Sequence, residues 1–146
     1  MRSWNAEEKE LWSMFSKNAK ILVVDDIISM RKQVIWALHS QGFNTFMEAA
    51  HGQKAWEMLL QADAPFDLII SDWHMPMLSG LEFLKMVRSH PEFKDIPFFL
   101  VTAENDPALI RLAHEEGVSG YILKPVDSES LEKIFQKHFQ KIHSAV

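Results

Sequence analysis

LIISDWHMPMLSGLEFLKMV, from Leu68 to Val87, carries a complete βα unit. Leu68–Ile70 is a short continuous apolar run that ends at Ser71-Asp72. Continuous rather than alternating apolar runs fit strands buried on both faces of a parallel sheet. Ser79-Gly-Leu-Glu82 is a capping box, in which the Ser and Glu side chains satisfy the first free N–H groups of a helix. Leu81, Leu84 and Val87 then repeat at helical spacing.

The same unit recurs on both sides. Ile21–Val24 ends in Asp25-Asp26 and is followed by a stripe of Ile27, Met30, Val34, Ala37 and Leu38, which Gly42 stops. A weaker run, Asn44–Glu48, precedes Ala55, Met58, Leu59 and Ala62. Ile96–Val101 ends at Thr102 and precedes Leu109, Leu112 and Ala113, closed by Gly117. Gly120–Leu123 ends at Lys124-Pro125. It precedes Leu131, Ile134, Phe135, His138 and Ile142, with Asp127 or Ser128 as N-cap. Five strands alternating with five helices predict an α/β doubly wound fold with helices on both faces of the sheet. Right-handed crossovers make the strands parallel, and the expected order is the flavodoxin-like 2-1-3-4-5.

Residues 1–18 stand outside this repeat and are expected to form a helical extension to a domain at 19–146. Asn5 caps a helix whose third position is Glu8. Trp4, Leu11, Trp12 and Phe15 form its aromatic stripe. The stripe packs on its own domain or, alternatively, serves as a docking or dimerising surface.

Composition narrows the function. The 146 residues suit one domain. The absence of Cys excludes a disulfide scaffold, a thiol nucleophile and Cys-based metal sites. With 15 basic and 20 acidic residues, a net charge of −5 and no long basic run, direct nucleic-acid binding is not expected. No apolar run approaches the roughly 18 residues of a membrane span. Met1–Lys20 contains no apolar signal region, so the chain is expected in the cytoplasm. The seven histidines, His39, His51, His74, His90, His114, His138 and His143, form no His-x-x-x-His pair, so no zinc site is expected.

Ligands of open parallel sheets sit at the carboxyl ends of the strands, near the switch in strand order. Those ends carry Asp25 and Asp26, then Asp72, Thr102 and Lys124. Two carboxylates about 5 Å apart repel by about 3 kcal/mol at an effective dielectric of 20. Three with one Lys must either raise their pKa values or take up a cation. Oxygen-only donors suit Mg²⁺, and Mn²⁺ also fits. A carboxylate beside such an ion is a nucleophile towards phosphorus, with Lys124 and Thr102 placed to neutralise and hydrogen-bond phosphoryl oxygens. Asp72 is the best acceptor because it lies between the acid pair and the Thr/Lys pair. Taken singly, each residue has a plainer explanation; an Asp after a strand is usually a helix N-cap.

From about Lys20 to about Ile142 the sequence resembles the receiver domain of bacterial two-component response regulators, especially the single-domain chemotaxis type. The resemblance lies in Val23-Val24-Asp25-Asp26, Ser71-Asp72-Trp73-His74-Met75-Pro76, Val101-Thr102-Ala103-Glu104 and Gly120-Tyr121-Ile122-Leu123-Lys124-Pro125. It implies that Asp72 accepts a phosphoryl group from a sensor histidine kinase or a histidine phosphotransfer protein. It implies Mg²⁺ on Asp26, Asp72 and the backbone carbonyl of His74, with Asp25 acting mostly through water. Thr102 and Lys124 would bind the phosphoryl oxygens, and Lys124–Pro125 would be cis. Thr102 and Tyr121 would form a switch, acting on a protein target at the face of the fourth helix, fifth strand and fifth helix of the repeat. His74, where the family often has Asn, and Glu104 would tune dephosphorylation. Asn105-Asp106-Pro107 replaces the Lys-rich start of that fourth helix in motor-binding members, so motor binding is not expected. After Ile142 only four residues remain, so no output domain is expected to follow, whether the chain stands alone or was cut from a longer one.

Three rivals differ in class. A Mg²⁺-dependent phosphatase of the haloacid-dehalogenase type, with an Asp nucleophile, needs two Asp separated by one residue, whereas Asp25 and Asp26 are adjacent. A flavodoxin needs a hydroxyl-rich phosphate loop where this chain has two carboxylates. An adaptor working without phosphorylation would not need the acidic set, which is complete here.

Overall fold

The computed structural model describes residues 4–144, with side chains described as far as Phe139. The expected stripe member Ile142 lies outside the described side chains. Helix α1 (Ala6–Asn18) precedes five βα units. These are β1 (Lys20–Val24) and α2 (Ile28–Ser40), β2 (Thr45–Ala49) and α3 (Gly52–Gln61), and β3 (Leu68–Asp72) and α4 (Gly80–Ser89). They continue with β4 (Phe98–Thr102) and α5 (Pro107–Glu115), then β5 (Gly120–Leu123) and α6 (Ser128–Ser144). All strand pairs are parallel, in the order β2-β1-β3-β4-β5.

Successive residues along a strand face opposite sides, so each apolar run feeds two cores. Leu22, Val24, Ile69, Phe98 and Leu100 join the cluster under α3, α4 and α5. Ile21, Val23, Leu68, Ile70, Phe99 and Val101 join the cluster under α2 and α6. The helix ends follow local chemistry. Ser79 and Glu82 make the reciprocal capping box of α4. Asp127 caps α6, its Oδ1 accepting from Ser130 N at 2.8 Å. Gly42 and Gly117, at φ of +100° and +86°, supply the left-handed turn after α2 and α5.

Helix α1 lies on the second core. The Trp12 ring meets Phe43, Phe135 and Phe139 at centroid distances of 5.4, 5.6 and 5.0 Å, and its Nε1–H donates to the Gln41 carbonyl at 3.2 Å. Edge-on aromatic pairs each add about 1 kcal/mol beyond their buried area. Asn5 caps the helix through Glu8 N at 2.8 Å. Leu11, expected on the stripe, is instead 43% exposed, because the helix packs Trp12 and Phe15, both partly buried, against the second core. Ile27 also departs from expectation. It is the residue before α2 rather than part of its stripe, and it is 50% exposed.

One partly buried cation closes the end of the sheet away from the strand carboxyl ends. Arg88 of α4 donates from Nε to the Gly117 carbonyl at 2.9 Å and from Nη1 to the Lys94 and Ile96 carbonyls at 2.9 and 2.7 Å. Arg88→Ala removes three hydrogen bonds that tie these loops together. The variant is expected to lose about 2 kcal/mol or more of unfolding free energy in urea. A loss under about 0.5 kcal/mol, the range of ordinary surface substitutions, would contradict this role.

Candidate functional site

The parallel register brings the expected residues to one end of the sheet. Asp72 is the last residue of β3, paired with Val101, and Thr102 pairs with Leu123. The polar Ser71 and Asp72 remain in the strand, fully buried and 4% exposed, because Trp73 N continues the ladder onto the Val101 carbonyl at 2.8 Å. Helix α4 starts close behind them, with Gly80 N donating to the Trp73 carbonyl at 2.8 Å.

Carboxylate oxygens of Asp25, Asp26 and Asp72 all lie within 4.8 Å of one another. Asp25 and Asp72 are buried and Asp26 is exposed at the rim. Lys124 Nζ stands 3.0 Å from Asp72 Oδ1. The ammonium reaches ion-pair distance, and no other donor among the described residues meets this buried oxygen. Burial raises the Asp72 pKa, and the Lys124 ammonium pulls it back down. Burial pushes Asp25 up to about 6, against the N–H of Ile27, which donates to its Oδ1 at 2.9 Å; the Asp72 charge adds to the rise. One ammonium therefore leaves the three acids under-neutralised. An all-oxygen donor set with excess negative charge and an unsatisfied buried oxygen fits a hard divalent cation such as Mg²⁺.

Asp25 gives a prediction with a definite sign. Its folded pKa lies above the ordinary carboxylate value, so the folded state holds this proton more tightly than the unfolded chain. The ionised group therefore costs stability as pH rises from about 4 to about 6, and the full cost persists above that. In chelator at pH 7.5, Asp25→Asn is expected to gain on the order of 1–2 kcal/mol in urea unfolding, with the gain shrinking at pH 5. The same substitution is expected to weaken Mg²⁺ binding. Equal stability of the two proteins at pH 7.5 would contradict the electrostatic account.

The remaining expected residues are linked to one another at the same end of the sheet. Thr102 is fully buried, and its Oγ1 accepts from Glu104 N at 3.1 Å. The Tyr121 hydroxyl donates to the Glu104 carbonyl. Both ends of Glu104 are thus tied, one to Thr102 and one to Tyr121. His74 Nε2 and Glu104 Oε1 approach to 3.2 Å across the rim, with both side chains more than half exposed. The peptide before Pro125 is cis. Sequence reasoning missed Arg31, whose Nη1 donates to the Asp25 carbonyl at 2.8 Å. An Arg one turn into a helix looks like any solvated cation, and nothing local marks the contact.

The Response regulator receiver domain model matches residues 21–136. This chain belongs to the response regulator receiver domain family. The receiver domain is 38% identical over 130 residues to chemotaxis protein CheY-3 of Vibrio cholerae serotype O1, covering 89% of this chain and 98% of that protein. It is 40% identical over 114 residues to chemotaxis protein CheY1 of Helicobacter pylori, covering 78% and 91%. A solved structure of the chemotaxis response regulator CheY4 of Vibrio cholerae matches with a TM-score of 0.73 at 37% identity, covering 82% of this chain and 98% of that one. The receiver domain is accordingly a signalling module of two-component, phosphorelay type. Among the described residues no helix is long and apolar enough to cross a membrane.

Proposed function

We propose that this receiver takes a phosphoryl group onto Asp72 from a phosphohistidine of a sensor kinase or phosphotransfer protein and passes the change to a protein target. The acceptor carboxylate forms a P–O bond as the donor's P–N bond breaks, and the proton-bearing imidazole leaves with its own protein. Asp25, Asp26 and Asp72, with the backbone carbonyl of His74, would hold Mg²⁺ or Mn²⁺, which supplies charge neutralisation for the transferring oxygens. Lys124 adds a second positive charge, and the buried Thr102 hydroxyl offers a hydrogen bond to a third oxygen. The observation that supports this most is the convergence of two further carboxylates and one ammonium on a buried acceptor, with the Thr102 hydroxyl at the end of the neighbouring strand. The only chemistry catalysed is the protein's own phosphorylation and dephosphorylation.

The link to a distant surface runs through Glu104. When Thr102 turns towards the phosphoryl oxygens it lets go of Glu104 N, and the loop that also anchors Tyr121 loses one of its two ties. Tyr121 then moves inward, changing the α5–β5–α6 face used by the target. Residues 19–146 form the receiver unit, working in the cytoplasm, and residues 1–18 extend it; pairing of two copies through α1 would use Leu11 and Met14, its outward apolar residues.

Acetyl phosphate with Mg²⁺, followed by hydrogen exchange, tests the coupling. Altered exchange in α5 and β5, absent when a chelator replaces Mg²⁺, is the expected result. Phosphorylation without any change on that face would overturn the switching account. His74 and Glu104 flank the path of a hydrolytic water to the acceptor, so His74→Asn is expected to change the phosphoryl half-life severalfold. An unchanged half-life would reduce His74 to its backbone carbonyl.

A further inference from the structure

One side chain joins the acidic pocket to the edge of the sheet. Glu48 lies on the edge strand β2, in register with Val23. Two cations of α2 converge on it, Arg31 Nε at 3.0 Å from Oε1 and Lys32 Nζ at 2.8 Å from Oε2. They are not equivalent. The Lys32 side chain is 59% exposed, whereas that of Arg31 is 13% exposed. Arg31 goes on to donate from Nη1 to the Asp25 carbonyl at 2.8 Å.

Asp25 is therefore held at three atoms. Its N–H donates to the Ala49 carbonyl at 3.2 Å, its Oδ1 accepts from Ile27 N at 2.9 Å, and its carbonyl accepts from Arg31. The third contact orients the peptide that leads from Asp25 to Asp26. A planar guanidinium serves a carboxylate and a carbonyl at a fixed angle, which a single ammonium on a flexible stem does not do.

We propose that Arg31, braced by Glu48, is a positioning residue for the acidic pair: by fixing the Asp25–Asp26 peptide it sets the cation affinity of the pocket. This rests on the pocket taking a divalent cation, as argued above. Two physical effects have opposite signs here. A guanidinium near the pocket repels a cation, so removing its charge alone tightens binding. Removing the hold on the Asp25 carbonyl loosens the pair and weakens binding.

The test is a Mn²⁺ titration of the metal-free full chain, reading free Mn²⁺ by electron paramagnetic resonance. Arg31→Ala is expected to weaken Mn²⁺ binding by about tenfold. Arg31→Lys keeps the charge and is expected to weaken it as well, and it decides the question if Arg31→Ala does not fold. Lys32→Ala loses the same charge without touching Asp25, so it should bind at least as tightly as wild type. Glu48→Gln keeps an acceptor for the fork and should retain most of the affinity. Binding by both Arg31 variants as tight as wild type or tighter would overturn the proposal, as would an equal loss in Lys32→Ala. A wild-type chain that binds no Mn²⁺ would instead remove the cation site itself, an outcome these variants distinguish.

Discussion

Asp72→Asn is expected to abolish phosphoryl uptake from acetyl phosphate in Mg²⁺ while leaving the fold intact and, without metal, more stable. The first half follows from nucleophilicity. An amide oxygen does not attack phosphorus at a useful rate, and among the three acids it is Asp72 that stands at ion-pair distance from Lys124, 3.0 Å. The second half follows from burial. Asp72 is 4% exposed, and burial raises its pKa, so its charge works against folding wherever it is ionised. Asn keeps the shape and removes the charge. The residual cost is a Lys124 ammonium without its ion-pair partner; at 20% side-chain exposure it can turn to water. Intact-mass measurement and urea unfolding check the two halves. Uptake equal to wild type would remove Asp72 from its role.

Gly80→Ala is expected to cost about 3 kcal/mol or more and to slow phosphoryl uptake together with it. A Cβ at Gly80 would lie 2.1 Å from the Asp72 carbonyl oxygen, 2.9 Å from Trp73 Cα and 2.9 Å from Leu100 Cδ2. Two of these three are backbone atoms and cannot rotate away. Gly80 begins α4, where Ala is the better helix former by about 1 kcal/mol. Helix propensity alone therefore predicts that the substitution stabilises, and steric crowding predicts the reverse. Relief of the clash requires α4 to move off the end of β3, which shifts the residue that carries the acceptor carboxylate. A variant as stable as wild type would show that α4 has room to spare at this point. In that case the close contact would not be what holds Asp72 in place.

Much of this arrangement is written locally in the chain. Apolar runs such as Ile21–Val24 show as strands because both of their faces are buried, and the Ser79–Glu82 box marks the start of α4 because capping is a short-range bond. The acceptor pocket is legible for a geometric reason. In a parallel sheet every strand has its carboxyl end on the same side, so Asp25, Asp26, Asp72, Thr102 and Lys124, at or just after those ends, come to one end of the sheet without any long-range guess.

What fails is what depends on neighbours. The run Ile96–Val101 suggests a strand from Ile96, yet Ile96 N closes a turn onto the Phe93 carbonyl and Pro97 has no N–H, so β4 begins at Phe98. The apolar run itself stops at Ile70, and it is the ladder that carries β3 on through Ser71 and Asp72. Ile27 and Leu11 fit an apolar spacing but point outward, and Trp36 is 74% exposed. The contacts of Arg31 with Asp25 and of Arg88 with three carbonyls cross between elements, and hydrophobic periodicity carries no record of them.

The central claim is that phosphorus resides on Asp72 and arrives there with the help of a divalent cation. Fragmentation mass spectrometry after incubation with acetyl phosphate, in Mg²⁺ and in chelator, locates the group directly, and neutral hydroxylamine reports its linkage. A modification on Asp72 that forms with Mg²⁺, fails to form in chelator and is cleaved by hydroxylamine is the predicted result. Phosphorus found on His74, stable to hydroxylamine or formed equally well without metal, would contradict it.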